Sequence, residues 1–182
     1  MGAFLETDRL VLRRFTAADE DDVFALDNDP EVMRYLTGGE AVPPERIRNV
    51  TLPRLMDPAR RFWAADERAT GRFVGWFALN PTGTPGEADL GYRLRRAAWG
   101  RGYATEGARA LVRVAFADLG LRRVVATTMA VNAASRRVME KAGLAYVRTF
   151  HVDFDNPLPG TELGEVEYAL DAPPVRQGMV SA

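Results

Sequence analysis

The feature that most constrains this chain is a pair of glycines placed directly before its most helical stretch. Residues 99–120 read WGRGYATEGARALVRVAFADLG, and after Gly102 the apolar residues recur at helical spacing. Glycine is a poor helix former, so helix stability does not explain Gly100 and Gly102. Before this segment, EADLGYRLR (87–95) alternates between apolar and polar residues as a strand does. The order of strand, glycine loop and helix predicts a helix whose first N–H groups face a ligand.

An anion is the ligand that this loop favours. The N–H groups at a helix start lack partners and carry partial positive charge, and glycine has no Cβ to hold a phosphate away. Residues 93–113 contain six arginines and one glutamate, a net charge of +5 in a chain of net charge −1. A pyrophosphate fits this pattern best. On spacing alone, a plain turn with a solvated basic face remains an alternative.

Composition predicts one domain and excludes several kinds of partner. The chain has 182 residues, of which 47% are hydrophobic, enough for a sizeable core. A net charge of −1 attracts neither nucleic acid nor an anionic membrane, and no apolar run approaches the ~20 residues of a membrane span. There is no cysteine and one histidine, which argues against disulfides and metal sites. We expect a cytoplasmic monomer or homodimer without metal, nucleic acid or membrane partners.

The remaining patterns predict an α/β fold built as one mixed layer. We expect a central mixed, largely antiparallel sheet of about seven strands, flanked by about four helices. The predicted strands are 9–15, 61–67, 72–80, 87–95, 122–129, 145–154 and 164–170. The predicted helices begin after Thr16, at Pro44, after Gly102 and after Asn132. Residues 1–170 would form the domain, and residues 171–182 a disordered tail.

Two longer segments together resemble the GCN5-related N-acetyltransferase (GNAT) superfamily. They are DLGYRLRRAAWGRGYATEGARALVRVAF and, about thirty residues later, NAASRRVMEKAGLAYV. Near the N-terminus, ETDRLVLRRFTAADEDDVFAL and DPEVMRYL resemble the branch that acetylates ribosomal-protein N-termini, the RimJ/RimL type. The superfamily has Gln or Arg where Trp99 stands, and this branch commonly has Trp. The resemblance implies an N-acetyltransferase that uses acetyl-CoA and a primary amine, either a protein N-terminus or a small molecule.

The resemblance also implies where acetyl-CoA lies, in a V-shaped split between the strand before the loop and the strand after the helix. The main chain of Arg101, Gly102, Tyr103, Ala104 and Thr105 would hold the pyrophosphate. The main chain of Leu94, Arg95 and Arg96 would pair with the pantetheine arm. Asn132 would bind the pantetheine amides, although a helix N-cap explains it equally well.

Acetyl transfer to an amine needs a base, a polarised carbonyl and a proton for the departing sulfur. With no cysteine for an acyl-enzyme, we expect direct attack in a ternary complex. Asp89 is the first candidate base, because the family that the chain resembles often has an acid just before Leu/Ile-Gly-Tyr. Glu87 is the second, and alternation places both on the polar face of their strand. Both could also be solvated strand carboxylates.

Ser135 is the candidate donor to the sulfur, because helical spacing places it with Val138 and Met139 on an inward face. Tyr92 and Tyr146 are alternative donors. A different class of function also remains open at this point. The same fold could bind CoA without turnover, as a sensor or scaffold module.

Overall fold

Eight strands form one sheet in the computed structural model, which describes residues 2–174. The order across the sheet is β1-β2-β3-β4-β5-β6-β8-β7, and all neighbours are antiparallel except β5 and β6. This confirms the predicted mixed, largely antiparallel sheet. It has one more strand than predicted, since a strand of two residues carries no alternation. The strands are β1 (Leu5–Glu6), β2 (Leu10–Arg13), β3 (Phe62–Glu67), β4 (Phe73–Pro81), β5 (Glu87–Leu94), β6 (Arg123–Met129), β7 (Ala145–Phe150) and β8 (Glu165–Asp171).

Helices connect and cover these strands. The predicted helix from Pro44 is continuous to Met56, with a π-helical segment, Ile47–Thr51, in its middle. The predicted cap at Thr16 is present, because its N–H donates to Asp19 Oδ2 at 2.7 Å and opens a 3-10 turn. The α-helices are α1 (Glu20–Asp27), α2 (Pro30–Met33), α3 (Pro44–Arg46), α4 (Leu52–Met56), α5 (Tyr103–Ala117) and α6 (Ala133–Ala142).

Each face of the sheet has its own core. One core lies under α5 and α6, and the other lies under the N-terminal helices around Val23, Leu26 and Phe62. The alternation of β5 places Leu90 and Leu94 in the first core. α5 approaches the sheet closely through a glycine. A Cβ at Gly107 would lie 2.2 Å from the ring of Phe77 on β4.

The C-terminal strands differ from the prediction at their ends. β7 ends at Phe150, where 154 was predicted, because its partner β8 begins opposite Phe150 at Glu165. β8 continues to Asp171, one residue beyond the predicted domain boundary, and Arg123 forms an ion pair with Asp171 at 2.8 Å. Residues 175–182 of the predicted tail lie outside the described residues, so their disorder stays a prediction.

Candidate active site

The cleft of this protein begins where β5 and β6 separate. The two strands pair over only three residues, from Glu87 with Arg123 to Asp89 with Val125. Beyond Asp89, β5 continues to pair with β4 on its other edge. Its free edge faces a cleft of about 1390 Å³. This volume exceeds the ~300–1,000 Å³ of common small-molecule pockets, so the cleft suits a long ligand.

The start of α5 brings free main-chain donors to this cleft. The first bond within the helix runs from Glu106 N–H to the Gly102 carbonyl at 3.0 Å. The N–H groups of residues 102–105 therefore have no partner in the helix, and none elsewhere among residues 2–174. All four residues line the cleft. The predicted open helix start is thus present, and its geometry fits an anion.

Backbone conformation explains why glycines precede the helix. Gly100 has φ +71° and Gly102 has φ +83°, in the left-handed region that residues with a Cβ rarely adopt. Space is not the limiting factor at Gly100, where a Cβ would meet no atom within 4 Å. The glycines let the chain turn sharply from the sheet into α5, and this turn aims the free N–H groups at the cleft.

The loop is held from outside the cleft by a charged network around Tyr103. The buried Tyr103 hydroxyl donates to Glu67, which also accepts from Arg101 at 2.8 Å and Thr70 at 2.7 Å. Donation by Tyr103 and Thr70 lowers the pKa of Glu67 to about 2. The guanidinium groups of Arg9 and Arg101 lie 4.8 Å from the centre of the Tyr103 ring. The Arg101 side chain therefore binds protein outside the cleft, and Arg101 is not among the residues that line the cleft.

Arg9 ties the loop to the N-terminal hairpin. It donates through Nε to Glu106 at 2.7 Å and through Nη1 to the Arg101 carbonyl at 2.8 Å. Glu106 also accepts from the Thr7 hydroxyl at 2.6 Å. Burial raises the pKa of Glu106, but these hydrogen bonds outweigh it, and the pKa ends below its ordinary value. The α5 end of the cleft is therefore fixed by contacts that do not use the ligand.

The end of β5 offers one of the three residues predicted to pair with a pantetheine arm. Leu94 lines the cleft, and its carbonyl accepts from Trp99 Nε1 at 2.8 Å. The Arg95 N–H donates to Val74 on β4 at 2.9 Å, and its side chain pairs with Asp22. Neither Arg95 nor Arg96 lines the cleft. Trp99 thus anchors the glycine loop to the end of β5.

The two candidate bases lie in different surroundings. Asp89 lines the cleft, and its carboxylate makes no hydrogen bond or ion pair within residues 2–174. Burial raises its pKa above the ordinary value. Glu87 does not line the cleft, because its carboxylate accepts from the Thr82 hydroxyl at 2.8 Å and faces Arg123 at 3.5 Å. The geometry therefore brings Asp89 into the cleft and leaves Glu87 outside it.

The candidate donors converge on the opposite wall. The Tyr92 hydroxyl lies 3.0 Å from both Ser135 Oγ and the Ser135 carbonyl, and both residues line the cleft. Burial raises the pKa of Tyr92 to about 12, so it stays protonated at neutral pH. Tyr146 is exposed, bonds to Thr149 and does not line the cleft.

Asn132 has the geometry of a helix N-cap. Its Oδ1 accepts from the Ser135 N–H at 3.2 Å, which confirms the cap. Its Nδ2 donates to the Thr128 hydroxyl at 3.1 Å. Asn132 also lines the cleft, next to Ser135 on α6. The cap therefore fixes the start of the helix that carries Ser135.

The far side of the cleft consists of residues to which the sequence patterns assign no individual role. They come from α2 and the loop after it, including Glu31, Tyr35 and Glu40, and from residues 154–165. These two segments meet, since a Cβ at Gly38 would lie 3.0 Å from the Leu158 side chain. Alternation in GEVEYAL places Glu165 on the face opposite the core, but nothing in it indicates a cleft. Burial raises the pKa of Glu165, as it does for Asp89.

Residues 2–174 contain neither a cluster of metal-ligating side chains nor a membrane-spanning helix. No group of three or more Asp, Glu or His side chains is placed to hold a metal ion. No helix there combines the length and apolar character that crossing a membrane requires.

Comparison with known proteins matches this chain and its fold to one family. Residues 9–145 match the acetyltransferase (GNAT) domain family. FsC-acetyl coenzyme A-N(2)-transacetylase of Aspergillus fumigatus is 38% identical over 176 residues, which cover 91% of this chain and 75% of that protein. The uncharacterized protein YkkB of Bacillus subtilis is 33% identical over 149 residues, covering 80% of this chain and 87% of YkkB.

Solved structures agree with the sequence comparison. An acetyltransferase (GNAT family) from Bacillus anthracis superposes with a TM-score of 0.78 at 25% identity, covering 91% of this chain and 96% of that one. Spermidine N-acetyltransferase from Vibrio cholerae, solved with CoA and spermine, shares the fold with a TM-score of 0.76 at 14% identity, covering 91% and 96%. This chain therefore belongs to the GNAT family and is an N-acetyltransferase.

Proposed function

We propose that this enzyme transfers an acetyl group from acetyl-CoA directly to a primary amine, with both substrates bound at once. The observation that carries the proposal is the cleft between β5 and β6, with the free N–H groups of residues 102–105 along it. GNAT acetyltransferases use acetyl-CoA, which supplies the acetyl group as a thioester. The relative that is 38% identical also has acetyl coenzyme A and an N(2) acceptor in its name, which supports the proposal.

The residues that would bind acetyl-CoA are those predicted from the sequence, and the hydrogen bonds of the structure show how far each one is available. The main chain from Arg101 to Thr105 would hold the diphosphate, and the Leu94 main chain would pair with the pantetheine arm. Arg95 and Arg96 remain predicted contacts, although the Arg95 N–H is already bonded to Val74. Asn132 lines the cleft and could bind a pantetheine amide while it caps α6.

The catalytic roles follow from Asp89 on one wall and Tyr92 and Ser135 on the other. Asp89 accepts the proton that the amine must lose, and its raised pKa suits a base working closer to neutral pH. A main-chain N–H at the end of β5 polarises the carbonyl oxygen while the amine nitrogen bonds to the carbonyl carbon. As the carbon–sulfur bond breaks, the Ser135 hydroxyl donates a hydrogen bond or a proton to the sulfur. Tyr92, 3.0 Å from Ser135 Oγ, can supply that proton in turn.

The finer assignments remain proposals. The RimJ/RimL resemblance favours a protein N-terminus, whereas the name N(2)-transacetylase of the 38% identical relative indicates an acceptor nitrogen without naming a protein. A cytoplasmic location, a monomer or homodimer, and the absence of metal, nucleic acid and membrane partners stay predictions from composition.

Calorimetric titration with CoA and a thiol-release assay test the proposal. The amine panel contains peptides with free N-termini and small primary amines. We expect CoA to bind and acetyl-CoA to release thiol with at least one amine. Binding without release on any amine would favour the alternative, a CoA-binding sensor or scaffold module. Failure to bind CoA at all would contradict both functions.

A further inference from the structure

The two sides of the cleft differ in charge. On the α6 side, the charged side chains that line the cleft are the cations Arg137 and Lys141. On the far side, two half-buried carboxylates, Asp89 and Glu165, face the cleft from the sheet. The nearby Arg93 does not neutralise them, because it forms an ion pair with the buried Asp27 at 2.5 Å.

Asp89 and Glu165 project from the same face of the sheet. Asp89 lies opposite Val125 on β6, and Glu165 lies opposite Met129 on the same strand. Val125 and Met129 are four residues apart, so strand alternation puts both carboxylates on one face. At ~3.3 Å per residue, the two positions are separated by roughly 13 Å along β6.

The start of β8 fixes the position of Glu165. Gly164 has φ +79°, and a Cβ there would lie 2.6 Å from the Phe150 carbonyl oxygen. The chain can therefore enter β8 only through a glycine at this position, and Glu165 is the first residue of the strand. Its carboxylate makes no hydrogen bond or ion pair within residues 2–174. A half-buried carboxylate without a partner in the protein is suited to binding a cation from a ligand.

We propose that Glu165 binds a second, positively charged group of the acceptor, at a distance from the amine that reacts beside Asp89. The acceptor class is then an extended amine with a further cationic group. The exposed carboxylates Glu31 and Glu40 add negative charge on this side, with Arg34 as an opposing cation. The aromatic side chains of Trp76 and Phe154 also line this part of the cleft and suit the apolar stem of such a molecule. This inference rests on the proposed acetyl transfer.

The test compares diamines of increasing chain length with monoamines of the same length. For each, kcat/KM is measured with the wild-type protein, Glu165→Gln, Glu165→Asp and Asp153→Asn. Asp153 is the matched control, an exposed acid in the neighbouring segment that does not line the cleft. CoA affinity, measured on each variant by calorimetry, verifies that the fold is kept.

We expect the wild-type protein to prefer diamines over monoamines at the best length. Glu165→Gln should lower the ratio of the two kcat/KM values about tenfold, the usual effect of losing one charge-assisted hydrogen bond. Glu165→Asp should keep the preference, because it keeps the charge, and Asp153→Asn should match the wild type. A wild-type protein without the preference, or Glu165→Gln with an unchanged ratio, would overturn the inference and leave acetyl transfer intact. Failure to acetylate any amine would instead contradict the proposed function.

Discussion

The two halves of the cleft present different chemical groups to a ligand. The half at the start of α5 presents main-chain N–H groups, held by the network of Arg9, Glu67, Arg101 and Tyr103 outside the cleft. The far half presents side chains from α2, the loop after it and residues 154–165. Main-chain groups recognise what all substrates of a family share, whereas side chains on loops can change without disturbing the fold. On this basis we propose that the α5 half binds the common donor and that the far half selects the acceptor.

The largest effect is expected from Gly102→Asp, which tests the α5 half. A side chain is strained at φ +83°, and a Cβ at Gly102 would lie 3.3 Å from Arg9 Nη2. The substitution would therefore shift the loop that aims the free N–H groups at the proposed diphosphate, and it adds a negative charge to that loop. CoA affinity should therefore fall at least about a hundredfold in calorimetry.

Gly120→Asp is the matched control for this change. Gly120 also has positive φ (+61°), but it follows the other end of α5. It should cost stability and leave CoA affinity near the wild-type value. Unchanged CoA binding in Gly102→Asp would remove the basis for assigning the donor to this half.

Asp89→Asn tests the base where the two halves meet. Loss of a general base costs about 10²–10⁴-fold in rate. Because the pKa of Asp89 is raised by burial, the wild-type rate should rise with pH above the ordinary aspartate range as Asp89 loses its proton. Asp89→Asn should be slow and should lack this rise in a pH–rate profile. An intact profile, with loss of activity in Glu87→Gln instead, would assign the base to Glu87.

Asp89→Asn should lower the reaction rate but raise the stability of the fold. A carboxyl group whose pKa is raised by folding makes its full contribution to stability below the pKa that this group has in the unfolded chain. The contribution is lost as the pH rises through the pKa of the group in the folded protein. Asp89→Asn should therefore melt at a higher temperature than the wild type near neutral pH. The two melting temperatures should converge in acid, which calorimetry can follow.

Tyr92→Phe sharpens the assignment of the proton donor. It removes the hydroxyl that lies 3.0 Å from Ser135 Oγ and keeps the ring. If Tyr92 supplies the proton through Ser135, kcat should fall about tenfold to a hundredfold while CoA affinity stays unchanged. Tyr146→Phe, outside the cleft, should behave as the wild type. A loss of activity in Ser135→Ala alone would place the donor at Ser135 and leave Tyr92 as a packing residue.

The smallest effect is expected from Glu67→Gln, which loosens the network behind the loop. Its carboxylate accepts from Tyr103 and Arg101 but does not contact the cleft. KM for acetyl-CoA should rise a few-fold with kcat nearly unchanged. Since the pKa of Glu67 is lowered to about 2, its contribution to stability is present above the ordinary glutamate pKa. The difference in melting temperature should disappear as pH falls toward 2, and a constant difference would assign the effect to packing.

The difference between the α5 half and the far half of the cleft also explains which parts of the structure could be predicted from the sequence. The glycines at 100 and 102, the alternation of β5 and the capped helices are local signals, and the structure contains each of them. Asp89 could be predicted because alternation decides its face and the family resemblance marks its position. The positions of Glu165 and of the loop after α2 depend on contacts between distant segments, such as Gly38 with Leu158, which no local pattern records.

The three residue pairs between β5 and β6 have a consequence for the whole sheet. Within residues 2–174 they are the only strand pairing that joins β1–β5 to β6–β8, and main-chain bonds from Arg122 and Arg123 to the Gly86 carbonyl extend it at one end. A pantetheine arm that pairs with the free edge of β5, as proposed above, would add backbone hydrogen bonds across the gap between β5 and β6. Donor binding would then stabilise strands β1–β5 and β6–β8 as one cooperative unit. Slower amide hydrogen exchange in β6 and β8 would show this.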